Sequence, residues 1–186
     1  MNFPEYQTDR VMLRQLSEQD AQSVLCLFSN PSVIAYYDLD VISELSQAQR
    51  IIGAMDERFK SNTGIRWAIT LKRNGELVGT CGFNSWDEKA RSAVIGYDLL
   101  PNCWGQGIAT EVVNELVKQA FLGNLPCGEL NRIQADTVPG NVASERVLLK
   151  VGCKEEGLRR QSGYWKNQYH DLKCFGLLKS EYKPKT

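Results

Sequence analysis

Residues 99–112, LLPNCWGQGIATEV, carry the spacing that most directly suggests chemistry. Two glycines, Gly105 and Gly107, stand immediately before a run with helical periodicity. The first N–H groups of a helix have no intrahelical acceptor, and the helix dipole adds partial positive charge there. Glycine lets that backbone approach a ligand closely, because no Cβ intervenes. A pyrophosphate is the natural guest of such a site. The plain alternative is a tight strand-to-helix turn, and the spacing by itself does not choose between the two.

Stepping outward, residues 10–15 read as a strand with Val11 and Leu13 on one face. Ser17 caps the next helix, with Asp20 standing in for the capping-box glutamate, and Asn30-Pro31 ends it. A second helix is expected over residues 46–59. Residues 67–71 and 77–83 read as strands around an Asn74-Gly75 hairpin turn. Residues 86–91 read as a polar turn and 93–100 as a third strand of this antiparallel set. A long amphipathic helix is expected over 107–122, a strand over 132–138, a short helix over 141–150, and two closing strands near 154–160 and 171–178. The order is β-α-α-β-β-β-α-β-α-β-β. It predicts one α/β (α+β) domain over residues 1–186, with its core at about 10–180. Its sheet is mixed, mostly antiparallel, with about seven strands and four helices.

Composition excludes several classes. The chain has 186 residues with 22 Lys+Arg and 22 Asp+Glu, so it lacks the basic excess of a nucleic-acid binder. One histidine, His170, argues against a zinc hydrolase, and no metal site is expected. The six cysteines are spaced at least about twenty residues apart, which reads as scattered reduced thiols in a cytoplasmic protein. No leader segment or membrane-spanning run is expected. A P-loop needs a lysine that is absent here. The dinucleotide fingerprint is nearly met, with Thr110 in its last place, but the strands before it form antiparallel hairpins instead of a βαβ unit.

Nearly the whole chain resembles the GNAT superfamily of acetyl-CoA-dependent N-acetyltransferases, and within it the RimJ/RimL-like group that acetylates ribosomal-protein N-termini. The family's pyrophosphate loop, Q/R-x-x-G-x-G/A, is filled by Trp104-Gly105-Gln106-Gly107-Ile108-Ala109, with Trp104 in place of Gln or Arg. The run Gly105 to Glu111 matches the G-x-G-x-A-T-E of that group. Asn141, Ser144, Gly152 and Cys153 fill a second motif, N-x-x-A/S followed by G-F, with Cys153 replacing Phe.

The resemblance implies acetyl-CoA as co-substrate, lying where two strands splay apart. Backbone groups of Leu99 and Leu100 would meet the pantetheine arm. The amides of Gly105, Gln106, Gly107, Ile108, Ala109 and Thr110, beside Trp104, would hold the pyrophosphate. Asn141 would contact the cofactor, although an N-cap role explains it equally. The helix tyrosine that many relatives use as proton donor is Leu148 here. A RimL-type arrangement instead uses the serine of N-x-x-S, which implies Ser144 as the donor candidate and as a cofactor contact. Glutamates that relatives place on the third strand or near the last hairpin fall at Val94 and Gly163. Asp98 is the nearest remaining carboxylate and the second catalytic candidate. Its parity sets it with Val94 and Gly96, opposite Tyr97. Tyr36, Trp86, Tyr97 and Tyr164, with Tyr37 and Trp165, are the aromatic candidates for the substrate walls.

The reaction so implied is direct attack of a neutral amine on the thioester. Deprotonating an α-amine of pKa near 7.7 costs about 1 kcal/mol at pH 7, against about 4.6 kcal/mol for a lysine-like amine near 10.4. A site without a strong base therefore suits the α-amine of a protein N-terminus. Polyamines, amino acids or aminoglycosides are the alternative acceptors, for which Asp38, Asp40 and Glu44 could supply acidity. A catalytically weak acyl-CoA-binding module is the other alternative. A monomer or homodimer is expected, without nucleic-acid or membrane partners.

Overall fold

The structure, a computed structural model, describes residues 2–184. Eight strands form one sheet in the order β1-β2-β3-β4-β5-β6-β8-β7. They are β1 (Tyr6–Gln7), β2 (Val11–Gln15), β3 (Ile65–Leu71), β4 (Leu77–Asp87), β5 (Ser92–Leu99), β6 (Arg132–Thr137), β7 (Lys154–Trp165) and β8 (Gln168–Leu178). The helices are α1 (Ala21–Phe28), α2 (Leu45–Lys60), α3 (Ile108–Leu122) and α4 (Val142–Val151). The expected element order therefore holds, with one strand added in front. That strand is two residues long, too short to carry any period in the sequence.

The helices lie on the two faces of the sheet. Val24, Leu27, Phe28 and Ile52 of α1 and α2 pack with Ala68 and Leu77 on one face. Val112, Val113, Leu116 and Val117 of α3, with Leu148 of α4, pack with Trp67, Cys81 and Ile95 on the other. Helix α1 starts as expected: Ser17 N–H and Oγ both donate to Asp20 Oδ2, at 2.8 and 3.1 Å. A single turn of 3-10 helix, Glu18–Asp20, precedes the α-helix proper. None of the helices among the described residues is long and apolar enough to cross a membrane.

Two boundaries differ from expectation. Residues 86 and 87 continue β4 instead of turning. The register of β4 shifts between Phe83 and Ser85, so a bulge carries the strand past the point where its apolar pattern stops. The final hairpin is longer than expected at its tip, because Lys166 and Asn167 both take positive φ, at 51° and 59°. That is the two-residue geometry usually given to Asn-Gly. β7 is exposed almost throughout, so it shows no alternation to read.

All neighbouring strands pair antiparallel except β5 and β6. These run parallel and pair only at Ser92↔Arg132, Ala93↔Ile133 and Val94↔Gln134. Beyond Val94 they diverge, although β5 continues to Leu99 and β6 to Thr137. The sheet thus opens in a V at the C-terminal ends of two central strands.

Gly82 is a close-approach position on β4. A Cβ there would press on the Ile65 carbonyl oxygen and sit 2.6 Å from Arg66 Cα. Gly82→Ala is expected to cost more than about 2 kcal/mol, because backbone of the neighbouring strand must move. Urea-unfolding midpoints of the two proteins check this.

Candidate active site

The V opens into a cleft of about 660 Å³, a size that accepts an extended small-molecule ligand. The loop between α1 and α2 (Ser32, Val33, Ala35, Tyr36, Tyr37) forms one wall. The end of β5 with the turn into α3 forms the floor, from Tyr97 to Thr110. The first turns of α4 form the other wall, through Asn141, Ala143, Ser144, Arg146, Val147 and Lys150.

The glycine turn has the shape its sequence suggested. Gly105 and Gly107 take positive φ, at 73° and 79°, and Gly107 is the residue before α3. A Cβ at Gly105 would meet nothing within 4 Å. Its requirement is therefore backbone conformation and open approach from the cleft, not packing. The turn is pinned from behind. Arg10 donates through Nη1 to the Gln106 carbonyl at 2.8 Å and pairs through Nε with Glu111 at 2.6 Å. Trp104 adds a tie from the front: its Nε1–H donates to the Leu99 carbonyl at 2.7 Å. The indole thus holds the turn against the strand end, a contact that the sequence alone does not reveal.

The same register shows which backbone groups face the V. Leu100 N–H donates to the Val78 carbonyl of β4. Strand residues alternate in the direction of their peptide groups, so those of Tyr97 and Leu99 point toward β6, where pairing has ended. An extended ligand arm can meet the Tyr97 groups and the Leu99 N–H as a short added strand, the Leu99 carbonyl being taken by the Trp104 indole. The positive-φ glycines, the orphan amides at the start of α3 and this open strand edge together fit the pantetheine and pyrophosphate of coenzyme A.

Ser144 sits in the first turn of α4, and its N–H donates to Asn141 Oδ1 at 3.3 Å. Asn141 is therefore the N-cap of α4. Tyr97 reaches Ser144 from β5: its Oη lies 2.8 Å from Ser144 Oγ and 3.0 Å from the Ser144 carbonyl. Burial pushes the Tyr97 phenol well above its ordinary pKa, while the hydrogen bond to Ser144 partly opposes this. Leu148, where many relatives have tyrosine, is fully buried in the core.

Asp98 lines the cleft, but its carboxylate is already engaged. Arg66 Nη2 binds Oδ2 at 2.5 Å, and Thr80 donates from both N–H and Oγ1 at 3.0 Å. Both partners of the ion pair are 3% exposed or less, so the pair is shielded from bulk solvent. Arg66 also binds Thr80 Oγ1, Asn84 Oδ1 and the Tyr37 hydroxyl. Both carboxylate oxygens are therefore already engaged, by Arg66 and Thr80. The second catalytic candidate is thus placed in a buried ion pair. It faces α1 and α2, opposite Tyr97, as parity required.

Two expected substrate residues lie elsewhere. Trp86 is at the other end of the sheet, opposite Ala93, with its indole N–H on the Asn62 carbonyl at 2.8 Å. Six residues of strand separate Ala93 from Leu99, roughly 20 Å. Tyr164 is 61% exposed and packs on Tyr169 near the tip of the last hairpin, away from the cleft lining. Tyr36 and Tyr97 do line the cleft, and the Tyr36 hydroxyl donates across it to the Gly140 carbonyl at 3.1 Å. His170 stacks on Trp165 with ring centroids 4.0 Å apart, outside the lining. Arg146 and Lys150 were missed. They are four residues apart on α4, a spacing that puts two cations on one helix face.

A cleft at a parted pair of parallel strands, floored by a glycine turn and a helix N-terminus, defines a protein that binds a long phosphorylated carrier. Residues 10–154 match the acetyltransferase (GNAT) domain family, and the chain belongs to it. It is an acetyl-CoA-dependent N-acetyltransferase of that type. It is 37% identical over 179 residues to the uncharacterised N-acetyltransferase YoaA of Bacillus subtilis (strain 168), covering 95% of this chain and 98% of that one. It is 28% identical over 106 residues to the ribosomal-protein-serine acetyltransferase of Escherichia coli (strain K12), covering 57% of each. Among solved structures it resembles RimL, the ribosomal L7/L12 α-N-protein acetyltransferase, in complex with coenzyme A. The TM-score is 0.80 at 20% identity, covering 92% of this chain and 95% of that one.

Two outcomes are expected. Asp98→Ala leaves Arg66 charged, buried and unpaired, which should cost about 3–5 kcal/mol of stability in chemical denaturation. Gly107→Trp puts an indole at the cleft floor and requires a left-handed backbone there, so acetyl-CoA affinity by calorimetry should fall more than about tenfold. The backbone penalty itself is only about 1–2 kcal/mol, so the variant should still fold.

Proposed function

We propose that this chain transfers the acetyl group of acetyl-CoA to the α-amine of a protein N-terminus, in a ternary complex. The observation that carries this reading is the charge of the cleft. Among the described lining residues Asp98 is the one carboxylate, and Arg66 neutralises it. The other charged lining residues are Arg146 and Lys150. A polycationic acceptor would find no acidic wall here. A lysine side chain would find no free base to meet its larger deprotonation cost, about 4.6 kcal/mol at pH 7. An α-amine is sufficiently neutral to need neither, and solvent can carry its proton away. The ribosomal-protein acetyltransferases among the relatives agree in substrate class. A cytoplasmic setting suits the six free thiols.

In this reading the amides from Gly105 to Thr110 hold the pyrophosphate, and the outward peptide groups of Tyr97 and Leu99 align the pantetheine, whereas the Leu100 N–H, also expected there, is engaged by the Val78 carbonyl of β4. The Leu99 N–H meets the oxygen that becomes anionic as nitrogen attacks. Ser144 Oγ donates a proton to the departing sulfur. Asn141 holds the start of α4, and so Ser144, in place. Tyr36 and Tyr97 shape the space between. Asp98 and Arg66 hold the far wall through Tyr37.

A thiol-release assay tests this with three acceptors: a peptide with a free N-terminus, the same peptide Nα-acetylated but carrying a lysine, and spermidine. The free α-amine should be acetylated at least about tenfold faster at pH 7. Its rate should rise with pH up to about 8, as the ammonium form is lost. Preference for spermidine would move the reading to a small-amine enzyme. Tight coenzyme A binding with no turnover on any amine would move it to a binding module.

A further inference from the structure

Tyr97 has one phenolic proton and two acceptors within reach, both on Ser144. They are the carbonyl oxygen at 3.0 Å and Oγ at 2.8 Å. The two arrangements exclude each other. If the phenol donates to the carbonyl, its contact with Oγ requires the serine proton to point at the Tyr97 oxygen, where a ligand cannot receive it. If the phenol donates to Oγ, the serine proton is free to point into the cleft. Position 148, the place of the family's helix tyrosine, contributes only a buried leucine. The phenol beside this helix comes instead from the opened end of β5.

We infer that Tyr97 is a positioning residue for acetyl transfer, which turns the Ser144 hydroxyl proton toward the thioester sulfur and holds the charge left on Oγ. The inference rests on the reading of Ser144 as proton donor. The step balances as follows. The amine nitrogen forms a bond to the carbonyl carbon, and the carbon–sulfur pair leaves on sulfur. The Ser144 Oγ proton moves to that sulfur. The proton released by nitrogen returns to Oγ through solvent, so no net proton is gained or lost. Tyr97 keeps its own proton throughout. Its burial favours this, since the phenol stays protonated far above neutral pH. The Asn141 cap assists by fixing the backbone that carries Ser144.

Steady-state kinetics on Tyr97→Phe, Ser144→Ala and the double variant test the inference, with a free-N-terminus peptide as acceptor. Tyr97→Phe should lower kcat about ten- to a hundredfold while KM for acetyl-CoA stays within about twofold. The double variant should be no slower than Ser144→Ala, because Tyr97 acts only through that hydroxyl. 3-Fluorotyrosine at position 97 keeps the donor and should retain most of the rate, which also controls for a phenylalanine variant that folds poorly. If Tyr97→Phe lowers kcat by the same factor with and without Ser144, the inference is overturned. It is also overturned if only KM changes, or if 3-fluorotyrosine is as slow as phenylalanine. If Ser144→Ala loses rate and Tyr97→Phe does not, this inference fails and the donor reading stands. If Ser144→Ala is fully active, both fail.

Discussion

The parting of β5 from β6 is the constraint on which the rest depends. A sheet interior ordinarily satisfies every peptide group, and leaving buried N–H or C=O groups without partners is costly. Here two central strands make three pairs and separate. The reason lies in what each strand is bound to on its other side. β6 is paired with β8 along all six of its residues. β5 follows β4, whose bulge between Phe83 and Ser85 stands beside Val94 and Ile95, where the pairing with β6 stops. A bulge raises local twist, so β5 turns away just there. The Leu99 carbonyl that would otherwise be orphaned takes a bond from Trp104, the residue that begins the glycine turn. That bond ties the end of the parted strand to the start of the glycine turn.

Both faces of the broken sheet are then used differently. On the face of α3 and α4, Tyr97 contacts Ser144. On the face of α1 and α2, the next residue, Asp98, enters a buried polar cluster with Arg66, Thr80, Asn84 and Tyr37. A buried ion pair is weak evidence of stability, since well-packed apolar residues often serve as well. Its value here is geometric. Tyr37 is the last lining residue of the α1–α2 loop, and Arg66 fixes its hydroxyl at 3.0 Å. The loop is tied twice more, by Tyr36 to Gly140 and by Lys166 to the Ile34 carbonyl at 2.7 Å. A wall made of loop is held by three ties to three separate elements. That gives an irregular segment the fixed position a binding site needs.

Much of this was legible in the sequence, and what was not has identifiable causes. Helices α2, α3 and α4 carried apolar stripes, and their ends were right to a residue or so. The glycine turn and the Asn141 cap were readable because they depend on local backbone chemistry. β1 was not, since two residues hold no period. The last hairpin's tip was not, because Lys166 and Asn167 adopt a turn that their types do not advertise. Trp86 and Tyr164 were misplaced for a different reason. Aromatic type marks a residue that packs, but only topology says against what. Trp86 lies on a cleft-lining strand's neighbour yet at its far end. Asp98 was found by elimination, and elimination cannot see Arg66, thirty-two positions away, closing on it.

Strand alternation explains why the phenol and the carboxylate at the end of β5 have separate surroundings. Successive residues of β5 face opposite sides of the sheet. Tyr97 and Asp98 are adjacent in sequence, so one must face α4 and the other α1 and α2. The carboxylate therefore cannot share the hydroxyl's surroundings, whatever its rotamer. A sequence carrying glutamate at Val94 would place it on the Asp98 face also, two pairs of residues back from Asp98. This chain has valine there, and among the described lining residues its one carboxylate, Asp98, is held in an ion pair with Arg66. In the proposed reaction the amine's proton goes to solvent, and the two hydroxyl groups that meet beside the cleft, Tyr97 and Ser144, come from two separate elements.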